Sequence, residues 1–563
     1  MTDQDAGSYD VVVLGTGAAG LVAALVAAQS GARVGLFEKG DLVGGTTALS
    51  SGVAWIPANP RAAEAGVADS EEQGLGYLDS LSHGRILPEL AEAFVRTGPE
   101  LVEWLDSSTP LKLRLVPGFP DYHPENPGGK PGGGRSLEPE LVSFDHLPGW
   151  DGRIVGATRP MLVAETPIGG GTGVLDPEVA RQRHEQKLEG LGRAMVGALL
   201  RGCLDHGISP VVGARARELV FERGRVGGVR FEGSGGPAEV RAGSVVIATG
   251  GFEFDPALVR DFLRGPMSMP PGVPTNSGDG LRMAMQAGAM LGNMSEAWWV
   301  PVVELPDEHP DGRPVVSLVL RERTLPRSIM VNSRGLRFTN EAANYNALGG
   351  AFHQFDPTRF DYVNQPCWLV FDHEYVRRYG GFGAPPGGPA ADWIVRAPSL
   401  AELAEKVGID AEGLAGTVRR WNRLVVSGRD VDFGRGDSAY DGWCGDRDTY
   451  PKRAATLGPL DAAPYYAVPI VASALGTKGG PRTTVDGEVL DVRGSVIPGL
   501  FAAGNAMAGP TGMVYGGAGG TLGPALVFGY RAGGRAAEEA GRRSVRRHES
   551  VEGTWESSTA KSL

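Results

Sequence analysis

The chain has 563 residues, 42% hydrophobic and 21% charged, with a formal net charge of −12. At about 100–200 residues per domain that length predicts two or three domains with sizeable cores, and the negative balance excludes nucleic acid as an expected partner, since a phosphate backbone would be repelled. Cys203, Cys367 and Cys444 are scattered without CxxC spacing, so no disulfide framework, iron–sulfur cluster or other metal site is expected, and the usage fits a reducing cytoplasm.

The opening Met-Thr-Asp-Gln-Asp lacks the basic stretch of a signal peptide. Residues 11–32 carry no charge and are long enough to span a bilayer, but Gly15, Gly17 and Gly20 interrupt them after a β-rich run. They therefore read as a strand (11–14), a turn and an alanine-rich helix (21–30), followed by a second strand (34–38). This is one βαβ unit and predicts no transmembrane segment. In Gly15-Thr16-Gly17-Ala18-Ala19-Gly20 the first glycine permits the tight turn. The second lets backbone approach a pyrophosphate, and the third lets helix and strand pack closely. Phosphates then meet the helix N-terminus, and Glu38, with Lys39 beside it, ends the second strand where an acid accepts ribose hydroxyls. Gly44-Gly45-Thr46-Thr47 and Ser51-Gly52 follow closely and suit a loop running along the rest of a long, extended cofactor, which favours FAD over NAD.

Residues 117–135 are rich in Pro and Gly and predict a long loop. Residues 177–206 predict one long helix, 219–240 a β-meander, and 244–251 a buried strand ending in glycines. From about 276 to 460 helical stretches (280–288, 399–426) alternate with short strands, which predicts an inserted domain. Buried-strand texture returns near Tyr465 and leads through Gly499 to Asn505 into a helix that reaches Tyr530. The glycine loop 515–524, with Gly520, Thr521 and Leu522 at the helix start, would bring N–H groups to a flavin's pyrimidine edge. The expected division is an FAD-binding domain from 1–275 and 465–545, an insertion over 276–464, and a polar, disordered tail over 546–563.

These motifs resemble the large flavoprotein class that includes fumarate reductases and ketosteroid dehydrogenases. The resemblance places Ala248-Thr249-Gly250 and Gly504-Asn505 along the FAD. It narrows to the 3-ketosteroid dehydrogenases through residues 476–482, 496–505 and 515–524, together with 248–253, Asn340-Glu341 and 432–436. It implies an α/β, Rossmann-like FAD-binding domain with an inserted α+β substrate-capping domain. It also implies an FAD-dependent dehydrogenase that forms the 1,2 double bond of a 3-ketosteroid. Absence of histidine between Gly44 and Gly52 implies non-covalent FAD. By the family motifs Tyr345 is the base, Tyr122 assists it, and Tyr515 with the Gly519 amide holds the keto oxygen. Two such donors stabilise a developing enolate, and a tyrosine base needs a neighbour to favour its anion. The chain departs from the family at Gly516, Ala518 and Asn344, where prolines are usual. Rival readings are dehydrogenation at the 4(5) bond or of a smaller cyclic ketone, a fumarate reductase-like enzyme, and a non-enzymatic electron-transfer subunit. Residues 509–526 hold no arginine or histidine to clamp a dicarboxylate, against the fumarate reading. The expected partner is a small apolar ketone, which would also suit loose contact with a membrane surface. The electron acceptor is not specified.

Overall fold

The structure is a computed structural model that describes residues 8–232, 238–306 and 315–559. The chain opens with β1 (Ser8–Leu14), α1 (Ala18–Gln29) and β2 (Val34–Phe37), parallel and in register from Val11↔Val34 to Leu14↔Phe37. The uncharged run 11–32 is thus a buried strand and a helix buried from Ala18 to Ala27, and its glycines explain the close packing. A side chain at Gly15 (φ +103°) would collide with the Ala248 carbonyl, and one at Gly20 with the Gly15 carbonyl. Among the described residues no helix is long and apolar enough to cross a membrane.

The expected single helix over 177–206 is instead two, α2 (Pro177–Glu185) and α3 (Leu191–Asp205). Lys187 (φ +46°) and Leu191 (φ +54°) break the helical path between them, and residues 188–189 form a strand paired with 142–143. The meander follows as β3 (Arg215–Glu222), β4 (Arg225–Glu232) and β5 (Glu239–Ile247), and β5 lies parallel to β1. Helix α4 (Asp279–Gln286) is tied back to β3 by Arg215–Asp279 at 2.8 Å.

A second sheet contains β6 (Ala297–Leu305), β7 (Val315–Leu318), β8 (Ser328–Asn332), β9 (Cys367–Asp372), β10 (Val395–Ala397) and β11 (Tyr465–Thr477). Its order is β7-β6-β11-β9-β8, with β10 also on β11. The 399–426 pattern forms two helices, α5 (Leu400–Val407) and α6 (Ala411–Ser427), because Gly408 takes a left-handed conformation and Asp410 caps the second. The chain rejoins the first sheet with β12 (Glu488–Leu490) and β13 (Val496–Ala502), giving the order β2-β1-β5-β13-β12. The first sheet is rejoined only after Thr477: the apolar strand β11 that begins at Tyr465 pairs with β6 and β9 of the second sheet, one face wholly buried and the other partly so.

Helix α7 (Leu522–Thr559) closes the order. It crosses α1 so closely that a side chain at Gly529 would stand 2.5 Å from the Ala19 carbonyl, and one at Gly533 would strike that of Ala23. The tail expected to be disordered from 546 is described as helical to Thr559, and it holds no proline to end the helix. Residues 560–563 lie outside the described residues.

Candidate active site

A cleft with about 930 Å³ of empty space opens at the carboxyl ends of β1, β2 and β5. Gly15, Gly17, Ala18, Ala19, Glu38, Lys39, Gly45, Thr46 and Thr47 line it, as do Ala248, Thr249, Gly250, Gly504, Asn505, Thr521 and Leu522. Gly20, Gly44, Ser51, Gly52 and Gly520 do not. Gly20 instead packs α1 on the turn, Gly52 lies against Leu191, and Gly520 against the Tyr515 ring. The Gly44 N–H donates to Thr16 Oγ1 (3.0 Å), and Ser51 is an exposed residue of the following loop.

The glycine-rich turn leaves the start of α1 without a side-chain cap of its own, with Gly17 at the N-cap. Glu38 faces the cleft, held by the Thr16 N–H (3.1 Å), the Thr16 hydroxyl (2.6 Å) and the Gly40 N–H (2.9 Å). A helix N-terminus with a glycine N-cap, its Ala18 N–H on Thr47 Oγ1 (3.1 Å), together with a seated acid and glycine-lined walls, fits a dinucleotide with a ribose and a pyrophosphate. Sequence reasoning missed Asn276 and Asp279 in this cleft. Asp279 pairs with Lys39 at 2.7 Å; burial opposes its ionisation, but Arg215 and Lys39 outweigh that and hold it below the usual carboxylate value. Neither residue belongs to a motif, and only the tertiary fold brings them there.

Beyond Thr521 the three tyrosines come together. Tyr122 donates a hydrogen bond to the Tyr345 hydroxyl at 3.0 Å. Their rings are 5.5 Å apart, and both approach Tyr515, Tyr122 at 5.1 Å and Tyr345 at 5.5 Å. Thr521 donates to the Tyr515 hydroxyl (3.1 Å), which leaves the tyrosine's own hydrogen free to be donated. Gly519 adopts φ +95°, and its N–H meets no acceptor among the described residues. Burial is the first cause raising all three phenols. For Tyr345 the phenols of Tyr122 and Tyr515 add to it, so at rest the cluster is neutral.

The expected long loop 117–135 is firmly built. Asp121 accepts from the Trp55 indole (2.7 Å) and pairs with Arg135 (2.8 Å), whose other arm holds Asp69. Burial first, against Arg135, pushes the Asp121 carboxyl up to about 6. The Tyr122 N–H and the Tyr77 hydroxyl both donate to the Gly516 carbonyl, at 2.9 and 2.7 Å, and so lock this loop to the glycine loop. The planar ring that Gly516 and Gly517 admit is the Trp55 indole: added side chains would stand 3.0 and 2.5 Å from it. Asn344, in place of the usual proline, bonds His123 Nε2 (3.1 Å) and ties the Tyr345 turn to the Tyr122 loop.

Two further residues shape the site. Trp298 donates its indole N–H to Asn505 (3.0 Å), and its ring lies tilted against Tyr515 with centroids 4.7 Å apart. Lys478 lies over that indole at 3.9 Å and donates to the Val514 carbonyl at 2.9 Å. Burial lowers its ammonium to about 7. Lys478 stands inside the motif 476–482, whose residues carry no assigned role in the sequence.

A family model described as an FAD binding domain matches residues 10–522. The chain is 40% identical over 547 residues to 4-oxocyclohexanecarboxylate 2-dehydrogenase of Sinomonas cyclohexanicum, covering 95% of this chain and 93% of the relative. It is 38% identical over 577 residues to 3-oxosteroid 1-dehydrogenase of Mycobacterium tuberculosis, covering 95% and 99%. Among solved structures, the 3-ketosteroid Δ1-dehydrogenase of Sterolibacterium denitrificans in complex with 1,4-androstadiene-3,17-dione aligns with a TM-score of 0.84 at 31% identity, covering 94% of this chain and all of that one.

Proposed function

This chain belongs to the FAD-dependent 3-ketosteroid dehydrogenase family and is an FAD-dependent oxidoreductase acting on CH–CH groups, and on that premise we propose that it desaturates a six-membered ring ketone next to its carbonyl through Tyr345, Tyr122, Tyr515 and Gly519. The observation that carries this reading is the 3.0 Å Tyr122–Tyr345 hydroxyl pair standing against Tyr515, with an unused N–H at Gly519.

The keto oxygen accepts hydrogen bonds from Tyr515 and from the Gly519 amide. Both strengthen as negative charge gathers on that oxygen, which acidifies the neighbouring C–H. Tyr345 takes the α-proton; the Tyr122 hydroxyl donates to the phenolate needed for this and lowers its cost in a dry site. FAD bound in the glycine-lined cleft supplies the acceptor for the hydride leaving the β-carbon. The proton and hydride together account for the two hydrogens lost as the C=C bond forms. The aromatic packing around the tyrosines excludes water, so the donors act at low dielectric.

The ring ketone is that of a 3-oxosteroid or of a 4-oxocyclohexanecarboxylate, the classes named for the Mycobacterium and Sinomonas relatives; each offers the same carbonyl and CH–CH pair. We also place the FAD-binding unit on the first sheet, from the N-terminal strands through α4 and again from about 478. The substrate-capping unit then lies on the second sheet.

The test is turnover of FAD-loaded protein with an artificial electron acceptor. Tyr345→Phe removes one hydroxyl, so FAD content should be unchanged while kcat falls by about 10²–10⁴, the usual worth of a positioned acid–base group. Wild-type protein should also exchange the α-hydrogen with deuterated solvent, and the variant should not. Near-normal turnover by the FAD-loaded variant would sink the assignment.

A further inference from the structure

The segment 248–253 follows β5, and the cofactor cleft uses only its first half, Ala248, Thr249 and Gly250. Glu253 ends the segment and is 3% exposed. Its Oε1 accepts from the Asn276 amide at 2.7 Å, and its Oε2 is buried with no hydrogen-bond partner. The same amide donates to Thr46 Oγ1 at 3.1 Å, and the Val273 N–H donates to that oxygen at 3.2 Å. Asn276 and Thr46 both line the cleft. With two donors already on its oxygen, Thr46 keeps its own hydroxyl hydrogen for the cleft. A side chain added at Gly272 would stand 2.9 Å from Thr46 Oγ1 and 3.5 Å from Glu253 Oε1, so the carboxyl lies directly behind the cleft wall.

On its other side Glu253 lines a second cavity, open to solvent, with about 1180 Å³ of empty space; Phe254, Val259, Leu263, Arg264 and Met267 line it too. One carboxyl thus separates the cofactor cleft from water. The charged groups on the elements around it have partners of their own. Arg264 pairs with Glu296 (2.9 Å), Arg260 with Asp261 (2.8 Å), Asp255 with Arg282 (2.6 Å) and Asp279 with Lys39 (2.7 Å). Lys478, next to Thr477 at the end of β11, donates to the Val514 carbonyl (2.9 Å). Among the described residues none of them forms an ion pair with Glu253. Burial first, against the Asn276 hydrogen bond, pushes the Glu253 carboxyl up to about 7, so it stands between its two charge states at neutral pH.

We propose that Glu253 is a redox-linked proton acceptor, which takes a proton from the second cavity when FAD in the cleft is reduced and gives it back when FAD is reoxidised. A hydride carries two electrons and one proton, so its arrival adds one net negative charge to the cleft. A carboxylate behind the wall repels that charge, and repulsion between like charges raises the carboxyl's own pKa. Glu253 therefore binds one H⁺ drawn from the solvent in the second cavity, and no second buried anion is left beside the first. Oε2 is the oxygen free to take it, because Asn276 occupies Oε1. When a two-electron acceptor removes the electron pair, the negative charge leaves, the pKa falls and the proton returns to the cavity. This rests on the cofactor cleft and on no particular ketone.

The experiment is a spectroelectrochemical titration of FAD-loaded, full-length protein at a series of pH values, with no ketone present, so its outcome is independent of the desaturation reading. The pH dependence of the midpoint potential reads the protons taken up with each electron pair. Between about pH 7 and 8.5 wild type should take up more than Glu253→Gln, by up to about one proton per flavin, and the excess should vanish near pH 5.5, where Glu253 is already neutral. The wild-type flavin should correspondingly be harder to reduce than the variant's at alkaline pH and equal to it in acid. Glutamine keeps the Oε1 contact with Asn276, and FAD content and Tm show whether the variant has folded. Lys478→Met removes the other buried group that titrates near pH 7 and should leave the excess in place. Wild type alone supplies a second reading: on reduction near pH 7.5 its infrared difference spectrum should lose a carboxylate band and gain a protonated-carboxyl band. Equal proton uptake by wild type and Glu253→Gln would overturn the proposal, as would an excess abolished only by Lys478→Met or an infrared difference without a carboxyl signal.

Discussion

Gly519 has a left-handed backbone at φ +95°, and an added Cβ would stand 2.6 Å from the Ala54 carbonyl carbon and the Trp55 nitrogen. Its carbonyl is already used by the Trp55 N–H (3.0 Å), so the residue is clamped with its own N–H left over. Gly519→Ala should therefore displace the proposed amide donor. Tyr515→Phe removes the partner donor but leaves the loop in place. Loss of one such donor is worth about 10²–10³ in kcat, and both variants should show it in steady-state turnover. Gly519→Ala should in addition lower Tm, because the strain falls on the packing against Trp55. Equal kcat in wild type and both variants would remove the keto-oxygen role. At this scale much is legible in the sequence: Tyr122, Tyr345 and Tyr515 stand in motifs that survive as strings. Trp298 and Lys478 do not announce themselves, because their meaning lies in contacts made across more than a hundred residues of chain, and Asn344 shows in the string only as a missing proline.

The glycine loop 515–524 is held as an element by three others: Trp55 below it, the Tyr122 loop beside it, and Lys478 behind it. Lys478 sits at the end of β11, so a strand of the second sheet delivers a cation to the Val514 carbonyl, next to Tyr515. Lys478→Met keeps the stem's volume and removes the charge. It should loosen the loop and raise KM for the ketone while FAD stays bound. Burial lowers this ammonium to about 7, below its unfolded value near 10.5. Between those two pH values the unfolded chain holds a proton that the folded one has lost, so stability should rise with pH across that window. Thermal melts of wild type and Lys478→Met from pH 6 to 10 check this. The wild type should gain stability relative to the variant as pH rises, and parallel curves would contradict it. The split of 399–426 at Gly408 and Asp410 carries a capping signal in the string that the reading of one helical stretch passed over, whereas the positive φ of Lys187 and Leu191, which are not glycines, leaves no such mark.

At the scale of the whole molecule, the strand that begins at Tyr465 pairs in the second sheet and not in the first, for a reason the string does not carry. A strand of mostly apolar residues looks much the same in whichever sheet it lies, and only its pairing partners, β6 and β9, assign it. The first sheet makes the opposite demand on the chain. Its middle is β1-β5-β13, with Val12↔Val245 and Val245↔Leu500 in register, and α7 lies in the groove of α1. For a ribosome releasing about 5–20 residues per second, α1 and β1 emerge tens of seconds before β13 and α7 exist. Until then the nascent βαβ unit exposes its apolar faces and half a cofactor cleft, and chaperone occupancy is expected over that interval. Flavin loading is correspondingly a late event. A chain ending at residue 480 retains Gly15, Gly17 and Glu38 but lacks Gly504, Asn505 and Thr521, and should retain no FAD on gel filtration. A yellow truncated protein would show that the early unit matures by itself. In its absence, the cofactor acts as a proofreader of synthesis, admitted only once the last strand has been made.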